Sequence, residues 1–184
     1  VGLGNTVGEE LISGPWLWMV VPTEPGKGGA QSNDIDQLTA VSDGTVSEIS
    51  VAVDGVNPGD EFNGFKWSLV ELPSDNGNNV NQVVNQLDFA GGNVNDHSAY
   101  AFLRVDSPQE QKKVLMRVGS DDSIKVWLNG QVVHSNAINR GTTGYQDYFF
   151  VDLKSGPNLL FAKVSQGGGG WGFFATINAD FTAA

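Results

Sequence analysis

Residues Ser123 to His134 read SIKVWLNGQVVH, two apolar runs joined by Asn129-Gly130. A two-residue link between antiparallel strands needs positive φ at both positions, and an Asn-Gly pair tolerates that. The stretch predicts a tight hairpin. In its first strand Ile124, Val126 and Leu128 share one face, while Lys125, Trp127 and Asn129 share the other. Trp127 is expected to pack on that second face.

The rest of the chain has the same texture. Short apolar runs at Gly14–Pro22, Val46–Val53, Gly64–Leu72, Ser98–Val105, Lys113–Gly119, Asp147–Leu153, Asn158–Ser165 and Trp171–Ile177 read as strands. Polar or glycine-rich connections separate them, including 23–37, 74–79 and the loop around Gly167–Gly170. Val80, Val83, Val84 and Leu87 follow helical spacing and predict one short helix. Nine or ten short strands with close turns predict an all-β fold, an antiparallel sandwich. The 24 glycines and the many asparagines supply its turns. Residues 1–10 read as an entry tail or linker, and 11–184 as one domain. Trp16 and Trp18 share a face and are expected in the core.

Acidic residues outnumber basic ones by 21 to 10, giving a formal net charge of −11. That field opposes nucleic acid and anionic membrane surfaces as partners. No apolar run approaches the roughly 18 residues of a membrane span, so no membrane insertion is expected. The absence of cysteine excludes disulfides and thiolate chemistry. Asp96, His97 and Ser98 are consecutive, but neighbours on a strand point to opposite faces and do not converge as a triad. No nucleotide-binding, zinc-protease or hydrolase-elbow motif is present. The chain therefore reads as non-enzymatic.

Asp121 and Asp122 stand side by side between two predicted strands. Like charges this close repel unless something offsets them. Calcium takes carboxylate, carbonyl and amide oxygens and would remove the repulsion. The alternative is two solvated side chains, one of them capping the turn. Trp171 follows four glycines at a loop exit. Its ring is either an exposed platform for a sugar ring or a lid on one end of the sandwich. Arg140 and Tyr145 lie in INRGTTGYQDY. Arg140 offers a hydrogen-bonding fork to a ligand carboxylate or sulfate, or to an acidic neighbour within the chain.

With Ser120-Asp121-Asp122, Trp127-Leu128-Asn129-Gly130, Arg140-Gly141, Leu153 to Leu160 and Gly169-Gly170-Trp171, the chain resembles a known group. These are the jelly-roll, galactose-binding-like domains of bacterial secreted glycosidases and surface proteins. The Asp-Asp step is also similar to sugar-binding domains of the protective-antigen type, where paired aspartates bind calcium and the calcium contacts sugar hydroxyls. Ser123 follows the pair here, where that family usually has glycine, and the hairpin carries Asn129 rather than aspartate. The resemblance implies a jelly-roll sandwich acting as a non-catalytic carbohydrate-binding module. Its partner would be a polysaccharide or glycan and its cofactor calcium on Asp121 and Asp122. Together with the residue chemistry above, the expected ligand contacts are Asp121, Asp122, Arg140, Tyr145 and Trp171. It further implies an extracellular or cell-surface setting within a larger multidomain chain. The other reading is a structural or adhesion spacer with no sugar site.

Overall fold

A computed structural model describes residues 11–74, 77–87, 89 and 91–183. The expected tail at 1–10 lies outside them. The described residues form two antiparallel sheets packed face to face, as the sequence predicts. The larger runs in the order β4 (Ser68–Val70), β1 (Trp16–Pro22), β5 (His97–Ser107), β10 (Gly156–Gln166), β7 (Ser123–Leu128), β8 (Gln131–Asn136), with β12 (Thr182–Ala183) also on β5. The smaller is β11 (Gly172–Ile177), β6 (Gln111–Asp121), β9 (Asp147–Leu153). A separate small hairpin joins β2 (Glu61–Phe62) to β3 (Phe65–Lys66). Asn129 and Gly130 both take positive φ, 51° and 81°, and close the β7–β8 hairpin.

The main core lies between the sheets. Trp16, Trp18, Leu103 and Val164 meet Met116, Val118, Phe173 and Ile177 there. Trp16 and Trp18 set their edges against Phe173 at 5.4 and 6.4 Å. Each indole N–H donates to a backbone carbonyl, Trp16 to Ile12 at 2.8 Å and Trp18 to Val70 at 2.9 Å. Their burial thus leaves no polar group unsatisfied.

A second core covers the outer face of the larger sheet. Leu17, Met19, Tyr100, Phe102, Trp127 and Phe161 pack there beneath helices α1 (Gln37–Val41) and α2 (Glu48–Asp54). Both faces of β1, β5 and β10 are consequently buried, which explains their nearly continuous apolar composition. Trp127 is on this second face, as expected.

Helix α2 corrects the strand expected at Val46–Val53. Ser47 caps it: the Ser47 hydroxyl accepts from Ser50 N at 3.1 Å, and the Ser50 hydroxyl accepts from Ser47 N at 3.0 Å. Glu48, Val51 and Ala52 are its buried residues, at i, i+3 and i+4. The cap outweighs the β preference of three valines. The strand expected at Gly64–Leu72 is instead split into β3 and β4, and the loop at 23–37 contains a single 3₁₀ turn at Gly29–Ser32. The expected helix is α3 (Asn79–Gln86), with Val80, Val83 and Val84 buried.

Candidate functional site

Asp121 ends β6 in the smaller sheet, and Ser123 opens β7 in the larger one. The chain therefore crosses between the sheets at the aspartate pair, through a cis peptide. The crossing is held by three bonds. Asp122 N donates to Ser165 O at 3.1 Å, Ser120 Oγ donates to Asp122 O at 2.7 Å, and Ser123 Oγ donates to Gly29 O at 3.0 Å.

The Asp122 carboxylate binds two loops. Its Oδ1 accepts from Arg140 N at 3.0 Å and its Oδ2 from Gly167 N at 2.9 Å. Asp121 is different. Its side-chain hydrogen bond is with Asp122, and no cation among the described residues stabilises its carboxylate. Burial raises its pKa first, and the Asp122 charge and hydrogen bond add to that, bringing it to about 7.

Glycines let the neighbouring loops approach the pair. A Cβ placed on Gly170 would lie 2.9 Å from Asp121 Oδ2, and one on Gly29 would lie 3.0 Å from Asp122 Oδ2. Gly29 takes φ +77°, and a Cβ there would also strike Asn139 Oδ1. Asn139 Oδ1 accepts from Ala30 N at 2.9 Å. Close by, Asp96 accepts from Gly26 N and Gly28 N at 3.0 and 3.1 Å. Asn78 Oδ1 accepts from Trp171 N at 3.0 Å, and Asn81 donates to Gly169 O at 3.2 Å. This end of the sandwich is thus walled by carboxylate, amide and carbonyl oxygens.

Among the described residues no group of three or more His, Cys, Asp or Glu side chains is placed to hold a metal. An ion here would rely on two carboxylates with amide and backbone oxygens. That all-oxygen set suits calcium and not a soft or tetrahedral metal. Each Asp122 oxygen keeps a second lone pair beyond its backbone bond. The donor chemistry and the glycine-lined approach fit calcium.

Three further sequence candidates are placed apart from this pair or turned to other work. Trp171 is fully buried in the main core, and its Nε1 donates to Val164 O at 3.2 Å. This corrects the expectation of an exposed stacking ring: the four glycines let the chain turn the ring inward. Arg140 binds both Asp147 oxygens at 2.9 Å, through Nη1 and Nη2. Its Nε donates to Ser120 O at 3.1 Å and its Nη2 to Ser120 Oγ at 2.9 Å. Four of five guanidinium donors are used internally, so Arg140 positions the loop and does not offer a fork to a ligand. Burial opposes ionisation of Asp147, but hydrogen bonds from Arg140, His134 and Asn136 and the Arg140 charge hold it down at about 2. Tyr145 sits edge-on to Phe174 at 6.1 Å and lines a hollow on the outer face of the smaller sheet.

Asp96, His97 and Ser98 do diverge. Asp96 holds the 26–28 loop, His97 Nδ1 lies 2.6 Å from Asn95 O, and Ser98 Oγ lies 2.6 Å from Ser165 Oγ. Sequence reasoning missed Asn139 and Gly29. Neither has a local signal beyond lying beside Arg140 and in a glycine pair.

No family model matches the chain. No curated protein matches it either. Among solved structures it is similar to the PA14 domain of the MpAFP antifreeze protein, at 13% identity and TM-score 0.52, over 100% of this chain and 96% of that one. A family 35 carbohydrate-binding module from Clostridium thermocellum aligns more loosely, at 14% identity and TM-score 0.30, over 47% of this chain and 69% of that one. At these identities the first likeness shows the fold, a β-sandwich shared with a PA14 domain.

Proposed function

We propose that the chain is a non-catalytic carbohydrate-binding module of an exported or cell-surface protein, part of a larger chain, with calcium held at the sheet crossing. The observation that carries this reading is the pairing of two carboxylates, one bound to two loops and the other facing no cation among the described residues. Asp121, Asp122 and Asn139 would hold the ion. Bound there, calcium supplies charge compensation and a hard centre for sugar hydroxyls. The chain's own part is to fix the oxygens in place. Asp122 anchors the loops at Arg140 and Gly167, the Arg140–Asp147 pair braces the first of these, and the glycines admit a ligand close to the backbone.

The test is calcium titration by calorimetry, followed by a broad glycan array in calcium and again in chelator. Calcium binding lost in Asp121→Asn, with glycan binding lost in chelator, is the expected result. Calcium binding with an empty array in both buffers would favour the spacer reading. The burial of Trp171 already favours that reading, because it removes one exposed aromatic from this end. No heat with calcium would sink the metal site.

A further inference from the structure

Tyr148 and Phe150 on β9 are 72% and 61% exposed. Two residues apart on one strand, they share a face with their rings spaced by about 7 Å. Their partners on β6 are Arg117 and Leu115. These four side chains, with Tyr145, line an open hollow of about 460 Å³ on the outer face of the smaller sheet. Phe150 also lines a groove of about 490 Å³ with Lys113, Asn129, Gln131 and Lys154. The two hollows meet at Phe150, which lines both. Tyr148 to Lys154 spans roughly 20 Å along the chain, the length of several sugar units.

Large exposed rings add nothing to the core, and clustered ones mark binding surfaces. Charge indicates what would bind. The residues lining the two hollows carry Lys113, Arg117 and Lys154 against Asp147 and Asp152, so 3 − 2 = +1, in a chain of −11. Asp147 is in addition paired with Arg140. Three of the ten basic residues therefore lie beside the exposed rings of Tyr148 and Phe150.

We infer that this face binds an acidic polysaccharide, carboxylated or sulfated. Tyr148 and Phe150 stack on sugar rings, and Lys113 and Lys154 meet the anionic groups. The exposed rings suit sugar faces, and a surplus this small suits acidic groups set along a sugar chain better than the closely spaced phosphates of nucleic acid. The inference does not rest on the calcium reading and fails separately from it.

The test is affinity electrophoresis in native gels containing chelator, so that calcium plays no part. The probes are polygalacturonate, dextran sulfate, neutral hydroxyethylcellulose and single-stranded DNA. Retardation by one or both acidic polysaccharides, weakening with added NaCl, is expected, and which of them retards separates carboxylate from sulfate recognition. Tyr148→Ala and Phe150→Ala should each weaken it about three- to tenfold, and Lys113→Glu/Lys154→Glu should weaken it further. All four positions are exposed, and urea unfolding would confirm that the variants keep their stability. The inference is overturned if neither acidic polymer retards the protein, if the neutral polymer or DNA retards it as strongly, or if the ring variants bind unchanged. A concentration-dependent dimer that the ring variants abolish would likewise overturn it, by assigning the face to a second copy.

Discussion

Glu48 and Asp121 are both carboxylates whose pKa is raised first by burial. Beneath the helices, Glu48 has a cation of the chain's own: Lys163 Nζ lies 2.7 Å from its Oε2, and the Tyr100 hydroxyl donates to the same oxygen at 2.6 Å. At the sheet crossing, the charged neighbour of Asp121 among the described residues is a second carboxylate. The phenylalanines repeat the contrast. Phe161 is fully buried, stacked on Tyr100 at 5.5 Å and tilted against Trp127 at 5.0 Å, whereas Phe150 projects from the smaller sheet. Glu48 and Phe161 find their partners within the chain. Asp121 and Phe150 leave charge and aromatic surface open.

The largest effects should fall on the partnered groups. Phe161→Ala is expected to cost about 3–5 kcal/mol, while Phe150→Ala should stay within about 0.5 kcal/mol. Urea unfolding of both variants measures this, and similar costs would erase the contrast. Lys163→Met leaves Glu48 buried without its cation and should cost about 3–5 kcal/mol. Adding Glu48→Gln should recover part of that, because the remaining group is uncharged. No recovery would mean that Lys163 acts by packing alone, over the Tyr100 ring at 5.7 Å.

Arg140 tests whether the open end is braced. Arg140→Ala leaves Asp147 with His134 and Asn136 as partners and removes the guanidinium bonds to Ser120, while the backbone N–H to Asp122 remains. A loss of about 2–4 kcal/mol in urea unfolding is expected for this half-buried pair. Ser47→Ala removes one side of the α2 cap and should cost about 1 kcal/mol. A larger loss would show that the helical cover of the larger sheet hangs on that one hydroxyl.

What the sequence disclosed follows the same division. The β7–β8 hairpin was legible because Asn129-Gly130 acts locally, and the aspartate pair stood out because its repulsion is local too. Helix α2 was not: Val46, Val51 and Val53 read as strand, and a Ser47–Ser50 cap carries no carboxylate to announce itself. Arg140 and Trp171 were ambiguous for another reason. Whether a guanidinium meets Asp147 or a ligand, and whether a ring after four glycines turns in or out, depends on how β6, β9 and β11 pair. No local pattern encodes that. Asn139 reaches the crossing only because Gly29, 110 residues earlier (139 − 29), leaves space for it.

The smallest effect is the most discriminating for the open end. Folded Asp121 titrates at about 7, against 3.8 for the ordinary group. Between these values the folded chain holds its proton more tightly than the unfolded one. The stability this proton supplies is fully present below pH 4 and is lost as pH rises through 7. After allowance for solvent screening the effect is about 1 kcal/mol, or roughly 2–4 °C in Tm. Calcium binds the ionised pair, so its stabilisation should be small at pH 5 and clear at pH 8. Asp121→Asn should flatten both the calcium-free slope and the calcium response, and thermal melts at the two pH values with and without calcium read all four quantities. A calcium response that persists in Asp121→Asn would place the ion elsewhere. A flat calcium-free slope in the parent protein would mean that Asp121 is solvated, and the contrast with Glu48 would then rest on the lysine alone.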